Sequence, residues 1–195
     1  MKTEYEVKFL SISHDAIRSK LTEAGAELHQ PMRLMKRTIF ESPELRSQDS
    51  FIRVRDEGHK ISLTYKRFET LSFDGAKEIE VEVTSYDDTI AILQETGLTL
   101  KSHQESKRET WKLDACEIVL DEWPWLDPYI EIEGPDQITV QATAKKLELK
   151  WDDAVFGDVM VAYRAQYPFL SDKITVSDVR EVRFGDPLPE ILREK

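Results

Sequence analysis

Polar and apolar residues alternate along several short stretches of this chain, and the alternation predicts strands. In residues 3–10, Glu4, Glu6 and Lys8 share one face of an extended segment, and Tyr5, Val7 and Phe9 share the other. The same period recurs at 32–41, 50–55, 60–66, 77–84, 106–113, 117–122 and 128–133. Asp56, Glu57 and Gly58 form a turn between two of these runs. A spacing of three and four takes over elsewhere. Ala16, Ile17, Leu21 and Ala24 predict a helix over 13–24, capped by Ser13 and stopped by Gly25. Ser85 with Asp88 opens a second helix to about Thr96, and 136–149 reads as a third. The tail predicts helices near 158–167 and 176–182, and Pro43 and Ser47 fall in a loop. Strands joined by short turns, with helices between, give an α+β fold around an antiparallel sheet.

The polar faces of these strands are charged rather than merely polar. Arg53 and Arg55 oppose Ile52 and Val54, and Ser62, Thr64 and Lys66 oppose Ile61, Leu63 and Tyr65. Glu78, Glu80 and Glu82 oppose Ile79, Val81 and Val83, and Glu131 and Glu133 oppose Ile130 and Ile132. Asp121 shares a face with Val119. A charge row on one strand is ordinarily a wet face. Here acids dominate some strands and bases others, and amphipathic helices are available to cover the apolar faces. If the sheet closes with its helices outside, the charges point inward. A barrel of about eight strands has room inside for side chains or one small ligand. Charges enclosed there need partners: divalent metal for the carboxylates, an anion for the bases. A linear triphosphate carrying metal meets both needs.

Composition narrows the choice. The 195 residues suit one domain, and 40% hydrophobic content supports a core. The net charge of −11 argues against nucleic-acid or anionic-membrane binding. The single cysteine, Cys116, excludes an internal disulfide and predicts a reducing compartment; with no apolar run after a basic start, a cytoplasmic location is expected. The dispersed histidines predict no zinc site. No glycine-rich phosphate loop is present.

Glu4-Tyr5-Glu6-Val7-Lys8 resembles the N-terminal ExExK signature of the CYTH family, the triphosphate tunnel metalloenzymes. The ordered set that follows strengthens the likeness: Arg53 and Arg55, Leu63 to Lys66, Glu78 to Glu82, Lys107-Arg108, Leu120-Asp121, and Glu131 to Gly134. The resemblance runs from residue 4 to about 165. It implies a closed antiparallel β-barrel of about eight strands with helices packed outside, requiring Mg²⁺ or Mn²⁺. It also implies a tunnel domain over 1–170 with a C-terminal helical extension over 171–195. By the same likeness Glu4, Glu6, Asp121, Glu131 and Glu133 serve the metals. Lys8, Arg53, Arg55, Lys66 and Arg108 grip the phosphates and act in catalysis. Glu80 joins the substrate-binding wall, pairing with bases or helping to hold metal.

Three positions depart from the family pattern. Arg37 stands where many members have an acid. Ser106 replaces a lysine, leaving Lys107 on the opposite strand face. Trp125 follows Trp123 and Pro124 where glycine is common. Trp123 reads as rim packing rather than a stacking surface. The resulting expectation is a hydrolase of tripolyphosphate, thiamine triphosphate or a nucleoside triphosphate. The alternatives are a class IV-type adenylyl cyclase and a non-catalytic polyphosphate-binding module. The expected partner is a triphosphate-bearing small molecule, with the chain a monomer or homodimer.

Overall fold

The computed structural model describes residues 2–3, 5–70 and 75–194. In chain order the elements are β1 (Lys2–Thr3), β2 (Tyr5–Phe9), α1 (His14–Glu23), β3 (Glu27–Glu41), α2 (Pro43–Ser47), β4 (Ser50–Asp56), β5 (Ile61–Phe68) and β6 (Ala76–Val83). Then come α3 (Tyr86–Glu95), β7 (Thr99–Leu113), β8 (Cys116–Glu122), β9 (Tyr129–Gly134), α4 (Gln137–Lys146), α5 (Met160–Gln166) and β10 (Glu181–Val182). The strands run in the order β1-β6-β5-β4-β3-β7-β8-β9-β2, with β10 attached to β7. Every neighbouring pair on that path is antiparallel; β10 alone pairs in parallel. The two ends of the path, β1 and β2, flank residue 4. The sheet therefore curls until its first segment meets both edges, and the eight strands β2–β9 form the barrel wall. The fold is α+β, as the alternation predicts.

The apolar faces point outward into two clusters beneath helices. Val7, Phe9, Ile118, Leu120, Ile130 and Ile132 pack against Ile17 and Leu21 of α1 and Val140, Ala144 and Leu147 beside α4. On the other flank Phe40, Val54 and Leu100 meet Tyr86, Ile90 and Leu93 of α3. Burying a side chain of this size contributes about 1.5–3 kcal/mol, so these stripes decide which strand face points inward. The helices start where their caps stand. Ser13 accepts from Ala16 N, Ser85 from Asp88 N and Asp136 from Thr139 N, at 3.4, 3.2 and 2.8 Å. Gly25, at φ 77°, closes α1 in the left-handed conformation that glycine adopts without penalty.

Several boundaries differ from the pattern-based expectation. The expected loop around Pro43 is the short helix α2, with Ser42 capping and proline in the first turn. β3 and β7 are each 15 residues long and extend well beyond the alternating cores at 32–41 and 106–113. Pro31 lies inside β3 at a register irregularity between Gln30 and Arg33, where a missing N–H breaks no regular ladder. The helix expected at 176–182 is instead a 3-10 turn at Val176–Asp178 followed by β10. Thr175 and Asp178 cap that turn reciprocally, and Val179 leaves it with extended backbone (ψ 120°), so valines at helical spacing serve a turn and a strand. Among the described residues, 171–194 hold 3-10 turns and β10 but no α-helix.

A third cluster gathers around the end of β8 and the start of β9. Trp123 and Tyr129 pack there against Met160, Ala162 and Tyr163 of α5 and against Leu170, Val176, Val182 and Leu192. Among the described residues no helix is long and apolar enough to cross a membrane.

Candidate active site

A cavity of about 820 Å³ occupies the inside of the curl, within the range of small-molecule sites. Glu6, Lys8, Arg53, Arg55, Lys66, Glu80, Arg108, Asp121, Glu131 and Glu133 all line it. Glu4 lies outside the described residues. Strand parity produces this convergence. Once Val7, Phe9, Ile130 and Ile132 are committed to the outer core, their neighbours Glu6, Lys8, Glu131 and Glu133 must face inward.

The carboxylates gather on β2, β8 and β9. Register sets Glu6 opposite Glu133, Lys8 opposite Glu131, and Glu117 opposite Glu133. Lys8 Nζ pairs with Glu6 and with Glu131 at 3.1 Å, and donates to the Gly157 carbonyl at 2.7 Å. Burial pulls the Lys8 pKa down, but Glu131 and Glu6 outweigh it, so the ammonium is held above its ordinary value. Burial and the adjacent Glu131 push Glu6 up. Glu131 itself drops to about 2: burial opposes the drop, and Lys8 and Arg108 drive it. Arg108 forks onto Asp121 at 2.7 and 2.5 Å and reaches Glu131 at 2.9 Å. Asp121 is 1% exposed; burial, with Glu131 beside it, pushes its pKa up, and the Arg108 fork offsets part of that cost.

The bases gather on β3, β4 and β5. Arg53 is 8% exposed, donates to Thr64 at 3.3 Å and stands 3.7 Å from Glu80. Burial, then Arg55 and Arg37, lower its pKa to about 9. Arg55 pairs with Glu57 at 2.8 Å and lies 3.9 Å from Glu80. The Nε atoms of Arg53 and Arg55 are buried with no hydrogen-bond partner among the described residues. Lys66 lines the same wall, opposite Glu78 in register. Glu80 accepts from Thr64 at 2.9 Å; burial resists, and Arg55 and Thr64 hold it below the ordinary carboxylate value.

Other residues join the site that sequence motifs alone do not single out. Glu57, which reads as turn material, is 5% exposed and receives Arg33 at 2.9 Å as well as Arg55. Lys60 and Glu117 line the cavity, and parity with Thr64 and Asp121 places them there. Arg37 also lines it: its Nε donates to Gln104 at 2.8 Å and its guanidinium lies 4.0 Å above the Trp123 ring. Trp123 is 4% exposed and divides its surface between cavity and core, so rim packing holds in part. Lys107 points away, to Glu122 at 3.2 Å and over Phe184. Trp125 adopts φ 62°, the conformation for which glycine is suited. Three contacts hold it there. Its Nε1 donates to the Asp186 carbonyl at 2.8 Å, and its own carbonyl accepts from Tyr167 at 2.5 Å and Gln166 at 3.1 Å. Met160, Val176 and Ser177 line the cavity from the C-terminal segment, where no local pattern marks them.

Among the described residues no three carboxylate, imidazole or thiol groups cluster tightly enough to enclose an ion. The donor chemistry still suits a hard divalent cation. Glu6, Asp121, Glu131, Glu133 and Glu117 offer only oxygen and face one cavity, where Lys8, Arg108 and Lys66 supply nearby positive charge.

Comparison with known proteins agrees with this architecture. Residues 2–153 match the CYTH domain family model. The PH1012 protein from Pyrococcus horikoshii superposes with a TM-score of 0.70 at 22% identity, covering 82% of this chain and 98% of that one. A candidate adenylate cyclase from Vibrio parahaemolyticus gives 0.70 at 16% identity, covering 83% and 97%. HpAC1 from Hippeastrum, described as a candidate adenylyl cyclase with a dominant triphosphatase activity, gives 0.56 at 16%, covering 85% and 96%. No curated protein matches in sequence. At these identities the solved structures speak for the fold. The family match spans most of the chain: it belongs to the CYTH domain family.

Proposed function

We propose that this protein hydrolyses a linear triphosphate in a divalent-metal-dependent reaction inside the cavity. One observation carries the reading. A wall of bases, two of them with buried Nε donors that have no hydrogen-bond partner among the described residues, faces a wall of oxygen donors across about 820 Å³. A polyphosphate anion satisfies the first wall, and Mg²⁺ or Mn²⁺ the second. Arg53 and Arg55 would bind phosphate oxygens through their forks, Lys8 and Lys66 as point charges, and Arg108 from the acidic side. Aimed where charge develops on the transferred phosphoryl group, these cations stabilise the transition state without reorganising. Glu6, Asp121, Glu131 and Glu133 would hold the metal, with Glu4 as a further candidate ligand. The ion supplies charge neutralisation and activation of the attacking water. Glu57 and Glu80 position Arg55 and Arg53. Within this reading the compact substrate, tripolyphosphate, is favoured over a nucleotide because Arg37 already covers a face of Trp123 on which a base would stack.

The test is product analysis. Purified protein with Mg²⁺ or Mn²⁺ is given tripolyphosphate, thiamine triphosphate or ATP, and orthophosphate, pyrophosphate and cyclic AMP are resolved. Orthophosphate release that falls at least a hundredfold in the Glu6→Gln/Glu133→Gln double variant is expected, on the order of the loss when a transition-state charge contact is removed. Cyclic AMP with equimolar pyrophosphate would replace the hydrolase with a cyclase. Undiminished turnover in the double variant would overturn the metal-site assignment.

A further inference from the structure

Tyr129 is the first residue of β9, and parity puts it on the face of Glu131, two residues on. It is 1% exposed and packs with Trp123, Met160 and Tyr163 in the third cluster, yet it also lines the cavity. Packing accounts for the ring but not for the hydroxyl. A buried phenol ordinarily finds a hydrogen-bond partner. Tyr163 and Tyr167, at the same cluster, do so: they donate to the Pro124 carbonyl at 2.7 Å and the Trp125 carbonyl at 2.5 Å. Tyr129 uses its carbonyl, which accepts from His14 Nε2 at 3.3 Å, but among the described residues its hydroxyl makes no hydrogen bond. Nor is that oxygen one of the polar atoms sealed inside the protein without a partner; it stays open to the cavity.

Register sets Tyr129 opposite Asp121 and Asp121 opposite Arg108, so the three form one row across the concave face. The charges acting on the hydroxyl are those of Asp121, Glu131, Arg108 and Arg37. The two acids are turned to cations instead. Both oxygens of Asp121 accept from Arg108, and those of Glu131 are divided between Lys8 and Arg108. The phenol is thus a neutral donor among charges. That difference matters chemically. A cation attracts a polyphosphate over a distance, in the ground state and the transition state alike. A neutral hydroxyl acts only at hydrogen-bond range, and its bond strengthens as the oxygen it meets gains charge. Such a contact raises turnover more than affinity.

We propose that Tyr129 is a catalytic hydrogen-bond donor whose hydroxyl meets an oxygen of the transferred phosphoryl group as charge builds there. This rests on the triphosphate reading above and adds to it a neutral group beside Arg108. A Tyr129 that merely completes the core would lose nothing on becoming phenylalanine, because the ring remains. A Tyr129 that serves the reaction loses turnover and no stability.

The experiment compares full-length wild type, Tyr129→Phe and Tyr167→Phe in two assays. One is steady-state orthophosphate release from tripolyphosphate, thiamine triphosphate and ATP in Mg²⁺ or Mn²⁺; the other is thermal unfolding without ligand. On whichever substrate wild type turns over, kcat of Tyr129→Phe should fall about tenfold to a hundredfold, as loss of a hydrogen bond to a charged oxygen implies, with KM within about threefold. Its melting temperature should equal or exceed wild type, since no hydrogen bond within the protein is lost. Tyr167→Phe, whose hydroxyl is bonded to the Trp125 carbonyl away from the cavity, should show the reverse: a lower melting temperature and an unchanged kcat. Four results would each overturn the inference and leave the triphosphate reading standing. They are a kcat within about twofold of wild type in Tyr129→Phe, a loss that falls wholly on KM, a melting temperature lowered as in Tyr167→Phe, and an equal kcat loss in Tyr167→Phe. No orthophosphate release by wild type overturns that reading, and the inference with it.

Discussion

Replacing Glu57 by Gln removes one charge and almost no volume, and its cost follows from the structure. The carboxylate is 5% exposed and meets Arg55 at 2.8 Å, Arg33 at 2.9 Å and Lys60 at 3.9 Å. Burial resists ionisation, but Arg55, Arg33 and Lys60 carry the pKa from 4.5 down to about 2. A depression of that size corresponds to about 3 kcal/mol favouring the folded, ionised form, in line with the roughly 3–5 kcal/mol lost when one partner of a buried pair is removed. For a domain of this length the melting temperature should fall by roughly 6–12 °C at pH 7. The sign of the pH dependence is fixed by the direction of the shift. The folded carboxyl titrates below the unfolded one, so its contribution is complete above the unfolded value. It is lost as pH falls from about 4.5 towards 2. The gap between wild type and Glu57→Gln, read by calorimetry or urea titration, should shrink to about half near pH 3. A gap that is absent at pH 7, or that persists undiminished at pH 2–3, would refute the claim that Glu57 is an ionised clamp on the arginines.

Two further perturbations probe other links. Arg108→Ala leaves Asp121 and Glu131 buried without their fork and should cost about 3–5 kcal/mol in urea unfolding at pH 7; a loss under 1 kcal/mol would show those acids to be paired elsewhere. Ser85→Ala removes the acceptor for Asp88 N and should cost about 1 kcal/mol, with Ser85→Asp restoring it; an unchanged stability would mean the start of α3 is held by its packing on β4 alone.

What the sequence disclosed depended on how local the cause was. Inward-facing charge is a matter of parity, and parity follows from which residues are apolar. Glu6, Lys8, Arg53, Glu131 and Glu133 could therefore be assigned to one face without a structure. Caps are equally local, which is why Ser13, Ser85 and Asp136 mark their helices. The outer halves of β3 and β7 lacked alternation: Glu27, Leu28 and His29 are all exposed, so nothing selects a face. Their strand character comes from pairing with each other, a tertiary cause. Glu57 looked like a turn acid because the partner that completes its clamp, Arg33, lies 24 residues away. The C-terminal part of the cavity lining was equally silent. Val176 and Ser177 reach the cavity through contacts to Gln104 and Met160 that no spacing encodes. Arg37 was visible as an oddity against the family pattern, but only the β3–β4 register shows it opposite another arginine.

The path of the sheet has a consequence for how the molecule assembles. Tyr5–Phe9 pairs with Gly134–Ile130, more than a hundred residues away, while Lys2 and Thr3 pair with Glu78 and Lys77. Tyr5–Phe9 is thus synthesised long before the strand it pairs with. Until β8, β9 and α4 exist, Val7 and Phe9, which end at 0% and 2% exposure, have only Ile17 and Leu21 of their core to pack against. Closing so long a loop is slow, and an unpaired strand with an apolar face is a template for wrong partners. Refolding should therefore be limited by this final seam, and the charges on Glu6 and Lys8 help keep the waiting strand solvated.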